Sequence, residues 1–351
     1  MSTKSTVSPR APGGRKATDD QAVLAAAGHL TSRDRYLVRL TGQHRVLTTD
    51  QLCALGFDSI ITARHRLGVL VSIGVLRRFR PRREVGSAPW HYLLGPVGAA
   101  LLGAEDRDDR RWLPQVRAGR QLALERSQQL AHMTGRNWFF VALARQARDG
   151  SGQLRAWLNE TESAERYADR VLGGYGDRVL PRPDGTGTWA EHGRAVTFLL
   201  EYDTGSENLP RLTGKLVAYG HLAQGMATAE RICPPLLFCF HSPRREQAAR
   251  RALAGCGDAP ALRIATAALD PQHASPAGPV WLPLLGAHDR QMPLIDLDAA
   301  MPDPWQDHRA DTAQRRRERE QQQPAWKRQP YDDTSDTAPA DPGDADDLYG
   351  P

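Results

Sequence analysis

Glu201 and Asp203 close an apolar, β-prone run, VTFLLEYD, at residues 196–203. Acids at the end of a buried strand are costly unless a cation or a hydrogen-bond donor meets them. Two residues apart on a strand, they project to the same face of a sheet. Asp184 opens the preceding hairpin and can be brought alongside. Two or three carboxylates with a backbone carbonyl are what one Mg²⁺ requires, and such an ion can activate water for attack on a phosphodiester. Lys215, about three helical turns downstream of Asp203, can orient that water or stabilise charge on the phosphate. Asp184, Glu201 and Asp203 are therefore the expected metal ligands, and Mg²⁺ the expected cofactor of an active site. The competing possibility is that the acids are tied to Arg182, Arg211 or Lys215 as structural ion pairs.

Other chemistries fit less well. The sequence has no GxxxxGK[ST] phosphate loop, and Gly173-Gly174 and Gly185-Thr186-Gly187 read as turns. His221 and His241 are isolated, so no HxH metal cluster accompanies Tyr202 for transfer of DNA to tyrosine. His132 lies within a helical apolar pattern and reads as a packed, hydrogen-bonded side chain. Cys53, Cys233, Cys239 and Cys256 show no CxxC pairing, which argues against structural zinc and for reduced thiols in the cytoplasm.

The elements that must position these residues can be traced by periodicity. Helical spacing runs from Leu122 to Arg148, a core or dimer-facing helix pair. A short strand follows at Leu154–Leu158, then a polar helix carrying Glu160, Glu162 and Glu165. The strand ending in Glu201 leads to a helix from Arg211 to Gln224. A second apolar strand (Pro235–Phe240), a helix (Ser242–Ala254) and two short strands near Ala261–Thr266 and Gly278–Pro283 complete an α/β unit over residues 119–287.

Upstream, residues 30–103 form a compact basic unit. Thr31-Ser32, Thr48-Thr49-Asp50 and Asp58 or Ser59 are cap signals for three successive helices, and Gly74 suits a left-handed C-terminal cap. Two strands, Val75–Arg80 and Trp90–Leu94, flank an Arg-rich turn, and Pro96 opens a last helix. Three helices, a β-ribbon and a helix is the order of a winged helix-turn-helix. In the third helix Ile60, Ala63, Leu67, Leu70 and Val71 share one stripe, leaving Thr62, His65, Arg66 and Val69 opposite. That exposed face is the one expected to enter the major groove of double-stranded DNA. Arg64, nearer the stripe's edge, is expected to meet a phosphate or a structural acid. Arg77, Arg78, Arg80, Arg82 and Arg83 arm the ribbon for the DNA backbone.

Between Thr31 and Ala100 there are eleven arginines and no lysine against four acids, whereas Asp332–Pro351 carries only acids. Such a basic segment is the electrostatic footprint of a phosphate-binding surface. At 40% hydrophobic and 25% charged residues, the chain reads as globular. It has no apolar run near the ~20 residues of a membrane span, so no membrane partner is expected. Residues 1–28 read as a disordered arm, 104–118 as a charged linker, and 288–351 as a largely disordered tail in which residues 310–322 can form a solvated helix. The fold class is thus α+β in two domains, the second built on a central mixed sheet.

The segments TSRDRYLVRLTGQHRVLTTDQL, RRFRPRREVGSAPWHYLLGPVGAALL, RPDGTGTW, FLLEYDTGSENLPRLTGKLVAYGHL and SPAGPVWLPL resemble the replication-relaxation family of actinobacterial proteins, typically linked with plasmids and other mobile elements. The resemblance spans nearly everything from Leu30 to Leu284. It implies a role in plasmid or mobile-element replication, transfer or its regulation, with replication or transfer proteins as partners, and a homodimer is a further expectation. The second domain resembles the restriction-endonuclease-like PD-(D/E)XK fold. On that analogy Asp184 and Glu201 match its two acids and Glu160 the acid of the first core helix. Asp203 stands where the pattern wants lysine, and Lys215 can replace it from the next helix. Two functions stay open: a DNA-binding protein without chemistry of its own, and a Mg²⁺-dependent endonuclease or nickase.

Overall fold

The computed structural model describes residues 14–82, 86–171, 180–286 and 290–322. Helix α1 (Gly14–His29) comes first, followed by α2 (Ser32–Gln43), strand β1 (Leu47–Thr48), α3 (Thr49–Gly56) and α4 (Ile60–Ser72). Next are β2 (Leu76–Phe79), β3 (His91–Leu94) and α5 (Pro96–Asp106). The caps are the residues that the sequence signals. Thr31 and Thr48 form reciprocal capping boxes with Asp34 and Gln51, Ser59 caps α4, and Gly74 takes φ +74°. The strands form an antiparallel sheet in the order β1-β3-β2. Its first strand, of which the sequence signals only the Thr48 cap, is only two residues long. A strand of that length leaves no alternation to detect.

Two segments depart from the expected order. Residues 14–28, expected within a disordered arm, belong to α1, whose Ala26 is buried and whose Val23 and Ala27 pack on the same core. An alanine-rich stretch has high intrinsic helix propensity, and this one gains a surface to bury against. Residues 104–118, expected as a linker, finish α5 and contain α6 (Asp109–Trp112). Trp112 is fully buried, donates to Asp106 at 2.9 Å, and lies where a Cβ at Gly42 would come within 2.7 Å of its ring.

The α/β part opens with α7 (Ala118–Glu125) and α8 (Leu130–Arg148). Then follow β4 (Gln153–Asn159), α9 (Glu160–Val171), β5 (Gly185–Glu191), β6 (Arg194–Asp203), α10 (Leu209–Thr228) and β7 (Leu236–Phe240). The chain continues through α11 (Pro243–Ala254), β8 (Ile264–Ala268), β9 (Leu282–Pro283), α12 (Leu297–Ala300) and α13 (Gln306–Gln322). The six strands form one mixed sheet in sequence order. Strands β4, β5 and β6 are antiparallel, β7 and β8 run parallel to β6, and β9 turns back.

Alternation along β6 separates two apolar layers. Phe198 and Leu200 join Phe139 and Phe140 of α8, while Leu199 joins Leu212 and Leu216 of α10. The α8 layer is continuous with the core of the N-terminal part. Polar contacts reinforce that joint: Asn137 donates to the Val46 carbonyl at 2.8 Å, Gln51 to the Thr134 carbonyl at 2.8 Å, and His44 stacks on Trp157 at 3.7 Å. The start of the segment expected as a tail is also packed, with Leu294, Ile295, Leu297 and Met301 buried. Residues 323–351 lie outside the described residues. All four cysteines are free, and among the described residues no helix is long and apolar enough to cross a membrane.

Candidate nucleic-acid interface and the acidic cleft

Helix α4 buries Ala63, Leu67 and Leu70 completely. Its other side exposes Ile61, Thr62, Arg64 and His65. Arg66 is only partly exposed, because its Nη2 meets Asp34 Oδ2 at 2.6 Å and the His29 carbonyl at 2.7 Å. The two arginines thus exchange the environments expected from the sequence: Arg66 meets the structural acid and Arg64 faces solvent. The acid comes from α2, thirty-two residues away, and a helical wheel of α4 alone carries no trace of it. Asp34 is fully buried. Burial acts to raise its pKa, but hydrogen bonds from Arg66 and Thr31 and the Arg66 charge hold it below the ordinary carboxylate value.

In the ribbon, Arg77, Arg78, Arg80 and Arg82 are exposed. Arg77 donates to Gln121 of α7 at 2.8 Å. The guanidiniums of Arg78 and Arg80 lie 4.3 and 4.2 Å from the ring of Trp90. A cation stacked on an aromatic face stays charged and keeps N–H donors at its edge free for phosphate. Arg83 lies outside the described residues.

The second site is a cleft of about 1320 Å³ between the N-terminal helices and the large sheet. Asp184, Glu201, Asp203, Lys215 and Glu160 all line it. Glu201 and Asp203 share one side of β6, as their spacing requires. Glu201 accepts from Lys215 Nζ at 2.8 Å and from the Tyr219 hydroxyl at 2.5 Å, both on α10. Asp203 accepts from Arg245 Nε of α11 at 2.7 Å and from the Gly205 amide at 2.5 Å. Asp184 is held from the opposite layer. It accepts from the Tyr202 amide at 2.8 Å and stands 3.2 Å from His132 Nε2 of α8, which also donates to the Tyr202 carbonyl at 2.7 Å. Glu160, at the mouth, pairs loosely with Arg182 at 3.5 Å.

Gly135 makes this arrangement possible. A Cβ there would come within 2.5 Å of the Tyr202 ring, so glycine lets α8 lie against β6 without displacing that ring.

Electrostatics separate the acids further. Burial, aided by the nearby Asp184 charge, raises Glu201 to about 7 despite Lys215 and Tyr219. Burial also works to raise Asp184, but His132, the Tyr202 amide and Arg136 outweigh it and keep that carboxyl ionised below its ordinary range. Lys215 is held protonated well above its usual value: burial opposes this, and Glu201 and Glu207 overcome it.

The three expected ligands all line the cleft, and each is already hydrogen-bonded by the protein. Asp184 is engaged from the α8 side, whereas Glu201 and Asp203 each already hold a cationic side chain on the other. Among the described residues no group of three or more His, Cys, Asp or Glu side chains is placed to hold a metal ion. The sequence singles out Lys215 but not Tyr219, one turn further along the same helix, nor Arg245 or Arg136 on α11 and α8. His132 is hydrogen-bonded as its setting suggested, but its side chain is 32% exposed and lines the cleft.

The chain matches the replication-relaxation family over residues 38–235, more than half its length, and belongs to that family. No curated protein matches it.

Proposed function

We propose that this protein binds double-stranded DNA through α4 and the β2–β3 ribbon, in the replication or transfer of a plasmid or mobile element. The observation that carries this reading is α4 itself. One side is fully buried, and the other presents Thr62, Arg64 and His65 to solvent next to a ribbon with four exposed arginines. An exposed helix face beside a basic ribbon suits a winged helix-turn-helix, with the helix in the major groove and the ribbon on the backbone. The family's name supports a setting in replication, since a replication protein must find and hold its origin. In this reading Arg64 takes the place in the groove first expected of Arg66, and Arg66 keeps α4 in position.

A second reading, a restriction-endonuclease-like nuclease, is favoured by one observation. Asp184 and Glu201 sit on or beside neighbouring central strands, and Lys215 reaches Glu201 from the following helix. Against it, every candidate ligand is already engaged by a donor, so Mg²⁺ would have to displace Lys215 or Arg245.

Supercoiled plasmid incubated with the protein in Mg²⁺, Mn²⁺ or EDTA, beside Asp184→Ala, separates the two. The binding reading expects retarded but intact plasmid in every condition. Metal-dependent nicking that Asp184→Ala abolishes would replace it with the nuclease.

A further inference from the structure

Helix α4 carries a glycine that the fold does not require. Gly68 lies well inside the helix, where glycine is less favourable than alanine. A Cβ built on it would meet nothing within 4 Å, and its backbone is helical. Gly42 and Gly135 differ, since a Cβ there would collide with Trp112 or Tyr202. Neither packing nor backbone conformation calls for glycine at position 68.

Gly68 is not alone on its side of the helix. Residues at i, i+4 and i+7 share one face, so Ile61, His65 and Gly68 form a stripe turned away from buried Ala63, Leu67 and Leu70. Ile61 is 75% exposed. A single apolar side chain in water is ordinary. In line with it, however, stand a histidine and a length of bare backbone, the profile of a surface that another molecule approaches closely. The exposed arginines Arg77, Arg78, Arg80 and Arg82 of the neighbouring ribbon make that molecule a polyanion. A second copy of the same basic face would bring like charges together.

We propose that Gly68 is where α4 comes closest to the duplex, and that this approach sets Ile61 against the 5-methyl group of a thymine in the major groove. That methyl is the apolar group among the base edges of the groove. Recognition helices meet base edges with their N-terminal residues, and Ile61 is the second residue of α4. A methyl group at position 68 would stand between helix and duplex. The inference rests on the DNA-binding reading and adds to it the base that is read.

The test begins with random-sequence duplexes from which the full chain selects a site. That site is then made with thymine and with deoxyuridine, a change that removes only the 5-methyl groups. Wild type should bind the thymine duplex about 4-fold more tightly for each methyl that Ile61 covers, the worth of one buried methylene-sized group. Ile61→Ala should bind both duplexes alike. Gly68→Ala should melt at a higher temperature than wild type, because alanine suits a helix better, yet bind the thymine duplex about 10-fold or more weakly. A variant that is more stable and binds less well has not lost affinity by unfolding. Equal affinity of wild type for the two duplexes would overturn the proposal, as would an unchanged preference in Ile61→Ala or unchanged affinity in Gly68→Ala. A change in the protein's oligomeric mass with Gly68→Ala, in place of weaker duplex binding, would assign the face to a second copy and overturn it too. All these results leave DNA binding standing. Wild type that binds no duplex at all would overturn that reading and this proposal with it.

Discussion

Arg66 of α4 grips Asp34 of α2 at 2.6 Å, and that carboxylate also completes the capping box of α2 through Thr31. One buried acid therefore sets both the start of α2 and the position of α4 against it. Removing one partner of a buried pair leaves the other uncompensated. Arg66→Ala should cost about 3 kcal/mol in thermal or urea unfolding, and Arg64→Ala close to nothing. Equal stability of the two variants would show that the pair does not position α4.

The same pair predicts a pH dependence. The folded pKa of Asp34 lies below its ordinary value of 3.8. The stability it contributes is fully present above that value and disappears as pH falls through the lower folded pKa. Acid unfolding followed between about pH 5 and pH 2 should show a loss that Asp34→Asn lacks. Parallel curves for the two proteins would contradict the assignment.

Lys215 and Glu201 should behave as one unit. Lys215→Met leaves Glu201 buried near ionised Asp184 and should cost about 3 kcal/mol, whereas Lys215→Met with Glu201→Gln should cost less than the two changes summed. A double-mutant cycle with no coupling would mean that the pairing is incidental and the lysine free for other chemistry.

Gly135→Ala places a methyl group against the Tyr202 ring, which must shift to make room. A loss of about 1–3 kcal/mol is expected from overpacking. Gly119→Ala, where nothing lies within 4 Å of the added carbon, should cost nothing and can stabilise α7 by up to about 1 kcal/mol. If Gly135→Ala melts like the wild type, α8 is not held to β6 by this close approach.

Local chemistry was legible in the sequence wherever it is local in space. The three cap residues, Gly74, Pro96 and the paired orientation of Glu201 and Asp203 all follow from neighbours a few positions away. What could not be read is supplied by distant chain. Asp34 claims Arg66 across thirty-two residues, Arg245 of α11 claims Asp203, and Trp112 folds the segment expected as a linker onto Gly42. The acids were recognisable as a cluster because their strand pattern is local. Of their partners only Lys215 was named, because Arg245 and His132 come from helices distant in sequence and Tyr219 carries no charge to mark it.

The central claim is that DNA is bound by the outer face of α4 and the ribbon. Fluorescence anisotropy of a labelled duplex, read across a salt series, tests it with wild type, Arg64→Ala/His65→Ala and Arg80→Ala/Arg82→Ala. Affinity should fall steeply with salt. The ribbon variant should show a shallower salt slope, by about one counterion for each phosphate it no longer neutralises. The α4 variant should bind about 10-fold or more weakly. Affinity indifferent to salt, or equal in all three proteins, would contradict the claim.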